Sequence, residues 1–344
     1  MGVENTAQLE GAQEQLQPDE NIHAQKLVEL LKGKMQKDYA AGEMLRGAHP
    51  KQHGCVKAVF TVEPQMPNEL RVGLFKEARR YPAWIRFSNA SGEVQADTKR
   101  DARGMAIKLM GVSGAKLLDD EKDAQTQDFI LMSSPILPVG TAAEFHKLVD
   151  AAINGHLIRF FLNPFDAHLR EIVLFARGAK HHTNPVDIQY WSTTPYLFGA
   201  RAVKYSVRPT SSNFNTMPKN PSPNYLSEVM QQQLAKNGAS FDFMVQFQSD
   251  PKQMPIEDAS IIWDEKLAPF QKVATITIPP QTFNSEAQMD FGENLSFTPW
   301  HCLPEHRPLG SINRVRKEIY QDLSNFRHAH NGTLRQEPTG AESF

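Results

Sequence analysis

The arrangement of hydrophobic and polar positions divides the chain into helical and extended segments. Apolar side chains recur near helical spacing between His23 and Leu45, which predicts one amphipathic helix. Helical periodicity returns over 141–178, where Pro164 interrupts it. Alternating or β-rich runs bounded by Pro, Gly and Asp predict strands. The predicted strands are 55–62, 83–87, 106–109, 202–207, 241–247 and 273–278.

The order of these segments predicts a fold class and three regions. No internal repeat or long linker separates helices from strands, so we expect one α+β domain on an antiparallel sheet. The first residues are polar and rich in Gln and Glu, which is typical of a mobile arm. The predicted regions are an arm over 1–21, a main domain over 22–335 and a C-terminal tail over 336–344.

Composition and charge exclude several classes of function. The chain has 344 residues, 40% of them hydrophobic, and a formal net charge of -2, so nothing draws it to nucleic acid. No apolar run approaches the roughly 20 residues of a membrane span, and the N-terminus lacks the basic and apolar regions of a secretory signal. Two distant cysteines fit a reducing compartment. We therefore predict a cytoplasmic protein and leave open whether it is a homo-oligomer.

The segment from Arg316 to Arg327 carries the most informative chemistry. In a helix, at about 100° per residue, Tyr320 lies about 40° around from Arg316, and Arg327 returns to within about 20° of it. A phenol titrates near pH ~10 in water, and a guanidinium one turn away favours the phenolate. Tyr320 is therefore a candidate metal ligand. The alternative is an amphipathic helix with ordinary surface contacts.

A second group of candidate residues lies between the first helix and the first strand. The pattern Arg46-x-x-His49-x-Lys51 offers a histidine whose neutral imidazole can accept and return a proton. His53, four residues on, is a competing candidate. We favour His49 because only it has Arg three positions before and Lys two positions after.

The third group joins two predicted strands. The chain reads R-F-S-x-x-x-G-E over 86–93 and R-D-x-R-G-x-A-x-K over 100–108. On a strand, Arg86 and Ser88 point to the same side, so a guanidinium and a hydroxyl would face one cavity. Taken alone, Arg86 would be read as a surface residue on a strand.

Together these patterns resemble catalases over roughly residues 25 to 335. The resemblance implies an antiparallel β-barrel core with flanking helices and a C-terminal proximal haem helix. It also implies haem b, with Tyr320 as the iron ligand supported by Arg316, His49 as the distal histidine and Ser88 orienting its ring. By the same resemblance, the haem propionates would contact Arg46, Arg86 and Arg327. The resemblance is to a small, minimal form of the family, for which we expect neither the C-terminal helical region nor the flavodoxin-like domain of full-length catalases.

One segment departs from the catalase pattern. Where the family has an asparagine that bonds peroxide, followed after a proline by aromatic residues, this chain has Met132-Ser133 and then Ile136-Leu137. Ser133 is the remaining candidate donor, but a shorter one, and methionine makes the pocket less polar. We therefore expect weak turnover of hydrogen peroxide and better turnover of organic hydroperoxides.

The predicted function is that of a haem-dependent oxidoreductase that cleaves hydrogen peroxide or an organic hydroperoxide. One alternative is a haem enzyme that rearranges fatty-acid hydroperoxides. The other is a haem-binding stress protein with low turnover. Activity per haem would separate the enzyme hypotheses from the binding protein.

Overall fold

A computed structural model describes residues 12–161, 173, 174, 176, 178–210 and 216–344, and its centre is a β-barrel. Its strands are β1 Gln52–Val62, β2 Arg80–Asn89, β3 Arg103–Met110, β4 Thr126–Met132, β5 Tyr190–Trp191, β6 Tyr196–Phe198, β7 Arg201–Pro209, β8 Ala239–Phe247 and β9 Gln271–Ile278. The helices of the described residues are α1 Glu20–Asp38, α2 Ala142–Ile153, α3 Leu157–Phe161, α4 Tyr225–Leu234, α5 Glu286–Asn294 and α6 Ser311–Asn331.

The strands form one antiparallel sheet that closes on itself. Their order is β5-β4-β3-β2-β1-β9-β8-β7-β6, and β5 also pairs with β7. Eight strands thus complete the ring, while β6 adds to the edge of β7. Closure leaves no open edge in the ring, which is the usual way for an antiparallel sheet to satisfy its backbone groups. The predicted α+β class and barrel architecture are confirmed.

Side-chain alternation decides which residues fill the barrel and which face the helices. On β2, Ile85 and Phe87 are fully buried in the interior core, together with Ile107 of β3. Trp84, on the opposite face of β2, belongs to a separate cluster with Phe291 near the end of α5. The outer faces of β2 and β3 are therefore covered by helices and connecting segments. A site on these faces would be buried although it lies outside the barrel.

Helices α1, α2 and α6 pack together beside the barrel. Leu27 of α1, Ala142 of α2 and Ile319 of α6 belong to one buried cluster. The helix predicted over 23–45 begins earlier and ends at Asp38, because the next residue, Tyr39, adopts an extended conformation. The chain then runs without regular structure to β1. Helix α2 begins at a capping box of Thr141 and Glu144.

Two predictions about the middle of the chain differ from the structure or fall outside it. Strand β4 lies at 126–132. The sequence pattern predicts no strand there and indicates Met132 only as a residue of the pocket. Of the helix predicted over 141–178, the structure describes α2 and α3. The rest of that prediction, including Pro164, falls largely on residues 162–172, 175 and 177, which lie outside the described part of the chain.

Both ends of the described chain contact the domain. Glu14 accepts from the backbone N–H of Gly310 at 2.9 Å and pairs with Arg307 at 2.7 Å. Near the C-terminus, Glu337 pairs with buried Lys108 of β3 at 2.7 Å. The regions predicted at 1–21 and 336–344 therefore include residues that bond to the main domain, and their exact limits stay a prediction.

Candidate active site on the outer face of the barrel

His49 lies in the segment between α1 and β1, against the outer face of β2 and β3. Its Nδ1 is 3.0 Å from the hydroxyl oxygen of Ser88. A Cβ added to Gly104 of β3 would lie 2.5 Å from that nitrogen and 2.8 Å from the Ser88 hydroxyl. Glycine therefore provides the space in which the imidazole lies. His49 itself has a positive φ of 59°, a strained backbone conformation of the kind that is found more often in active sites.

The competing histidine, His53, lies on the other face of the same strands. A bulge between Gln52 and Gly54 interrupts the β1–β2 register and turns His53 toward Asn89. The Nε2 atom of His53 lies 2.9 Å from the Oδ1 atom of Asn89. His53 is fully buried, and Asp97 lies 3.8 Å from its other nitrogen. Because Ser88 and Asn89 alternate on β2, the two histidines face opposite sides. The geometry favours His49 as the histidine of the outer site.

The charge environment keeps the imidazole of His49 neutral. Burial, followed by the charges of Arg86 and Arg316, lowers the pKa of His49 to about 3. A neutral ring is ready to accept a proton at pH 7. Arg316 of α6 therefore lies near enough for its positive charge to disfavour protonation of this imidazole.

Tyr320 and Arg316 are neighbours one turn apart on α6. Nη2 of Arg316 donates to the phenol oxygen of Tyr320 at 2.8 Å. Burial alone would lower the pKa of Arg316, but the phenol groups of Tyr320 and Tyr196 raise it above its ordinary value. The guanidinium is thus a permanent cation beside the phenol, as the helical spacing predicts.

Arg316 is held in place by Asn313, one turn earlier on α6. Oδ1 of Asn313 accepts from Nη1 of Arg316 at 3.0 Å and from the hydroxyl of Thr194 at 3.0 Å. The amide nitrogen of Asn313 donates to the carbonyl oxygens of Pro195 and Leu309. All of the amide's bonds therefore fix its orientation, and the amide in turn fixes the guanidinium.

The other three predicted arginines meet at one carboxylate. Glu293, near the end of α5, lies 2.6 Å from Arg46, 3.0 Å from Arg86 and 3.7 Å from Arg327. The Arg86 and Arg327 side chains are each 3% exposed. Arg86 also donates to the carbonyl oxygen of His49 at 3.0 Å, so this arginine cluster adjoins the histidine.

A row of facing residues across β2, β3 and β4 forms the wall beside His49. Ser88 pairs with Gly104, and Gly104 pairs with Met132. Directly opposed residues point to the same face, so Met132 faces the His49 side. The structure does not bring Ser133 to this row. Its hydroxyl oxygen instead accepts from the backbone N–H of Arg103 at 2.8 Å, just past the end of β4.

Sequence reasoning missed three residues of this site. Gly104 was quoted only as part of a motif, although its lack of a side chain makes space for the imidazole. Asn313 lies three residues before Arg316, a spacing that could have indicated the contact. No local spacing connects Glu293 with Arg46 or Arg86, which precede it by more than 200 residues.

Solved catalase structures share this fold. A fungal catalase superposes with a TM-score of 0.66 at 17% identity, covering 86% of this chain and 61% of that one. Catalase A from Saccharomyces cerevisiae superposes with a TM-score of 0.65 at 15% identity, covering 86% of this chain and 63% of that one. A bacterial catalase superposes with a TM-score of 0.64 at 16% identity, covering 97% of this chain and 67% of that one. The chain therefore has the catalase fold and spans about three fifths of the fungal catalase's length. No family model and no curated protein sequence matches it.

The described residues contain neither a membrane-spanning helix nor a cluster of the usual metal-binding side chains. No helix there is long and apolar enough to cross a membrane. In the same part of the chain, no three or more His, Cys, Asp or Glu side chains are grouped so that they could hold a metal ion.

Proposed function

We propose that the chain is a haem-dependent oxidoreductase that cleaves peroxides. The observation that supports this proposal is that an Arg316–Tyr320 pair and a His49–Ser88 pair both occur in a chain with a catalase fold. A phenol beside a fixed guanidinium suits ferric iron, and a neutral imidazole suits proton transfer to and from a peroxide. Haem b is the proposed cofactor.

The charges of the site fit a haem. Arg46, Arg86 and Arg327 offer three guanidinium groups to propionates, and the described contacts place only one carboxylate, that of Glu293, among them. Tyr320 would hold the iron, and Arg316 would supply a fixed positive charge beside its phenol oxygen. When bound, haem supplies the iron and porphyrin that exchange electrons with a peroxide.

The residues of the chain would then manage the proton. Because Nδ1 of His49 is engaged with Ser88, Nε2 is the nitrogen available to take a proton from the peroxide and return it to the leaving oxygen. Ser88 and Gly104 hold the ring in position. Replacing His49 by alanine should therefore remove turnover and leave the phenol side intact.

The proposal is tested by Tyr320→Phe. This change removes the phenol oxygen and retains the ring, so it should abolish the high-spin ferric spectrum of a tyrosinate complex and lower haem content. Absorption spectra and pyridine haemochrome content measure both. Tyr81→Phe is the matched control. The hydroxyl of Tyr81 donates to the carbonyl oxygen of Leu74, and Tyr81 lies near the start of β2, at the opposite end of the strand from Ser88. Equal spectra and haem content in the two variants would overturn the assignment.

A second candidate, turnover of fatty-acid or other organic hydroperoxides, is favoured by Met132. An apolar side chain faces His49 from β4 where a polar one would bond a small peroxide. The expected substrate order is cumene hydroperoxide over hydrogen peroxide. Met132→Asn should improve kcat/KM for hydrogen peroxide about tenfold relative to cumene hydroperoxide by restoring a donor. An unchanged ratio would count against this specificity, and negligible turnover of both per haem would favour the stress-protein alternative.

A further inference from the structure

Glu293 is the only carboxylate that the described contacts place among the three arginines of the site. It lies in the last turn of α5, and its side chain is 20% exposed. The carboxylate contacts Arg46 through Oε1 at 2.6 Å and Arg86 through Oε2 at 3.0 Å. Arg327 approaches Oε1 at 3.7 Å and donates to the backbone carbonyl of Glu293. One residue therefore links a loop, a strand and two helices.

The charges of the cluster do not cancel. Three guanidiniums against one carboxylate leave a net charge of +2. Burial acts to raise the pKa of Glu293, but the three arginines outweigh it and lower the pKa, so the carboxylate is ionised. The neighbouring imidazoles of His49 and His328 add no charge at pH 7, because their pKa values are lowered to about 3 and about 4.

A buried net charge of this size is unfavourable unless an anion completes it. We propose that Glu293 sets the charge of the arginine cluster at +2 and thereby matches the site to a dianionic ligand. The proposal rests on the proposed function in so far as the dianion is the pair of haem propionates. Without Glu293 the cluster would carry +3, and with a second such carboxylate it would carry +1.

The charge balance at Arg314 shows the opposite arrangement in the same protein. Arg314 of α6 is paired with Glu14, Glu20 and Glu257 at 2.5 to 2.8 Å. That group has an excess of carboxylates and no predicted ligand. The Arg314 group therefore serves as the control. Loss of one of its carboxylates should lower the stability of the protein, but it should not create a binding site for an anion.

The test compares Glu293→Gln with Glu257→Gln in the haem-free and haem-loaded full chain. In the haem-free protein, Glu293→Gln leaves three guanidiniums without a carboxylate and should lower Tm by about 5 °C. Sulfate, the inorganic probe, should restore more of the Tm of this variant than it adds to the parent. Haem should also raise its Tm more than it raises that of the parent, and haem dimethyl ester, which lacks the two charges, should not.

The double variant E293Q/R46Q separates charge from shape. It returns the cluster to +2 without the carboxylate, so the excess stabilisation by sulfate should disappear. Excess stabilisation equal to that of Glu257→Gln, or its persistence in the double variant, would overturn the proposal. If Glu293→Gln fails to fold alone, sulfate at refolding should rescue it, and failure to do so would also overturn the proposal.

Failure of the proposed function gives a different result. If the parent takes up neither haem nor haem ester, the cofactor assignment fails. The sulfate comparison still decides the role of Glu293, because it requires no haem.

Discussion

At the scale of single residues, the site depends on one missing side chain and one strained backbone. Gly104 leaves the space that the imidazole of His49 fills. The positive φ of His49 is uncommon outside glycine and costs on the order of 1 kcal/mol, which the surrounding contacts must offset. Its bond to Ser88 and the bond of Arg86 to its carbonyl oxygen hold this conformation.

Gly104→Ala tests this arrangement. A Cβ 2.5 Å from Nδ1 of His49 can be accommodated only if the ring or β3 moves, so we expect a loss of about 1–3 kcal/mol in the free energy of unfolding and a large loss of turnover. Urea unfolding and steady-state assays measure the two effects. Gly33→Ala in α1, where a Cβ would contact nothing within 4 Å, should instead stabilise the helix by roughly 0.5–1 kcal/mol. Similar effects of both changes would contradict the close approach.

At the scale of the element, α6 organises the phenol side of the site through its own periodicity. Asn313, Arg316 and Tyr320 are spaced three and four residues apart, so they lie along one face. The helix is anchored at its start, where Ser311 donates its backbone N–H to Glu257 at 2.8 Å. The position of the phenol therefore depends on bonds made one and two turns before it.

Asn313→Ala should disturb Arg316 without touching Tyr320. The change removes an acceptor of the guanidinium and of the Thr194 hydroxyl, and it takes one donor each from the carbonyl oxygens of Pro195 and Leu309, so about 2–3 kcal/mol of stability should be lost. In haem-loaded protein the visible spectrum should shift as the guanidinium moves. Asn325→Ala, an exposed amide on the same helix, is the control and should leave both measurements unchanged. An unshifted spectrum in Asn313→Ala would show that Arg316 does not need this support.

At the scale of the whole molecule, tight packing keeps several histidines neutral. Burial lowers the pKa values of His53 and His306 to about 3 each. His306 accepts from the backbone N–H of Leu74, which requires an unprotonated nitrogen. In the unfolded chain both rings titrate near pH ~6.5, so acid favours the unfolded state.

The free energy of unfolding should therefore fall as pH drops from about 6.5 toward 3. In that window the unfolded chain binds more protons, and each such histidine contributes up to about 1.4 kcal/mol per pH unit. Glu337, whose pKa is lowered to about 2 despite burial because Lys108 and His301 outweigh it, adds a loss in the same direction at the acid end. Urea unfolding at pH 7, 6 and 5 measures the slope. His306→Gln should reduce the slope, and a flat profile in the parent would contradict the neutral assignment.

Much of the fold could be predicted because its signals are local. Alternation and β-rich runs located six of the strands but not β4. Closure by β5 could not be foreseen, since a strand of two residues has no period to detect. The end of α1 at Asp38 was also missed, because apolar residues continue at helical spacing after Tyr39 leaves the helix. Those later residues are buried by contacts such as that of Met44 with Asn331, which no local pattern encodes.

For the site, the sequence by itself determined the pairs that one element holds. Arg316 and Tyr320 are neighbours in any helix, and Arg86 and Ser88 share a face in any strand. Only the tertiary structure decided that His49 and not His53 meets Ser88, because a bulge in β1 turns the two rings apart. It also brought Glu293 among three arginines from distant segments, because charges buried together are chosen by the packing of whole elements and not by spacing along the chain.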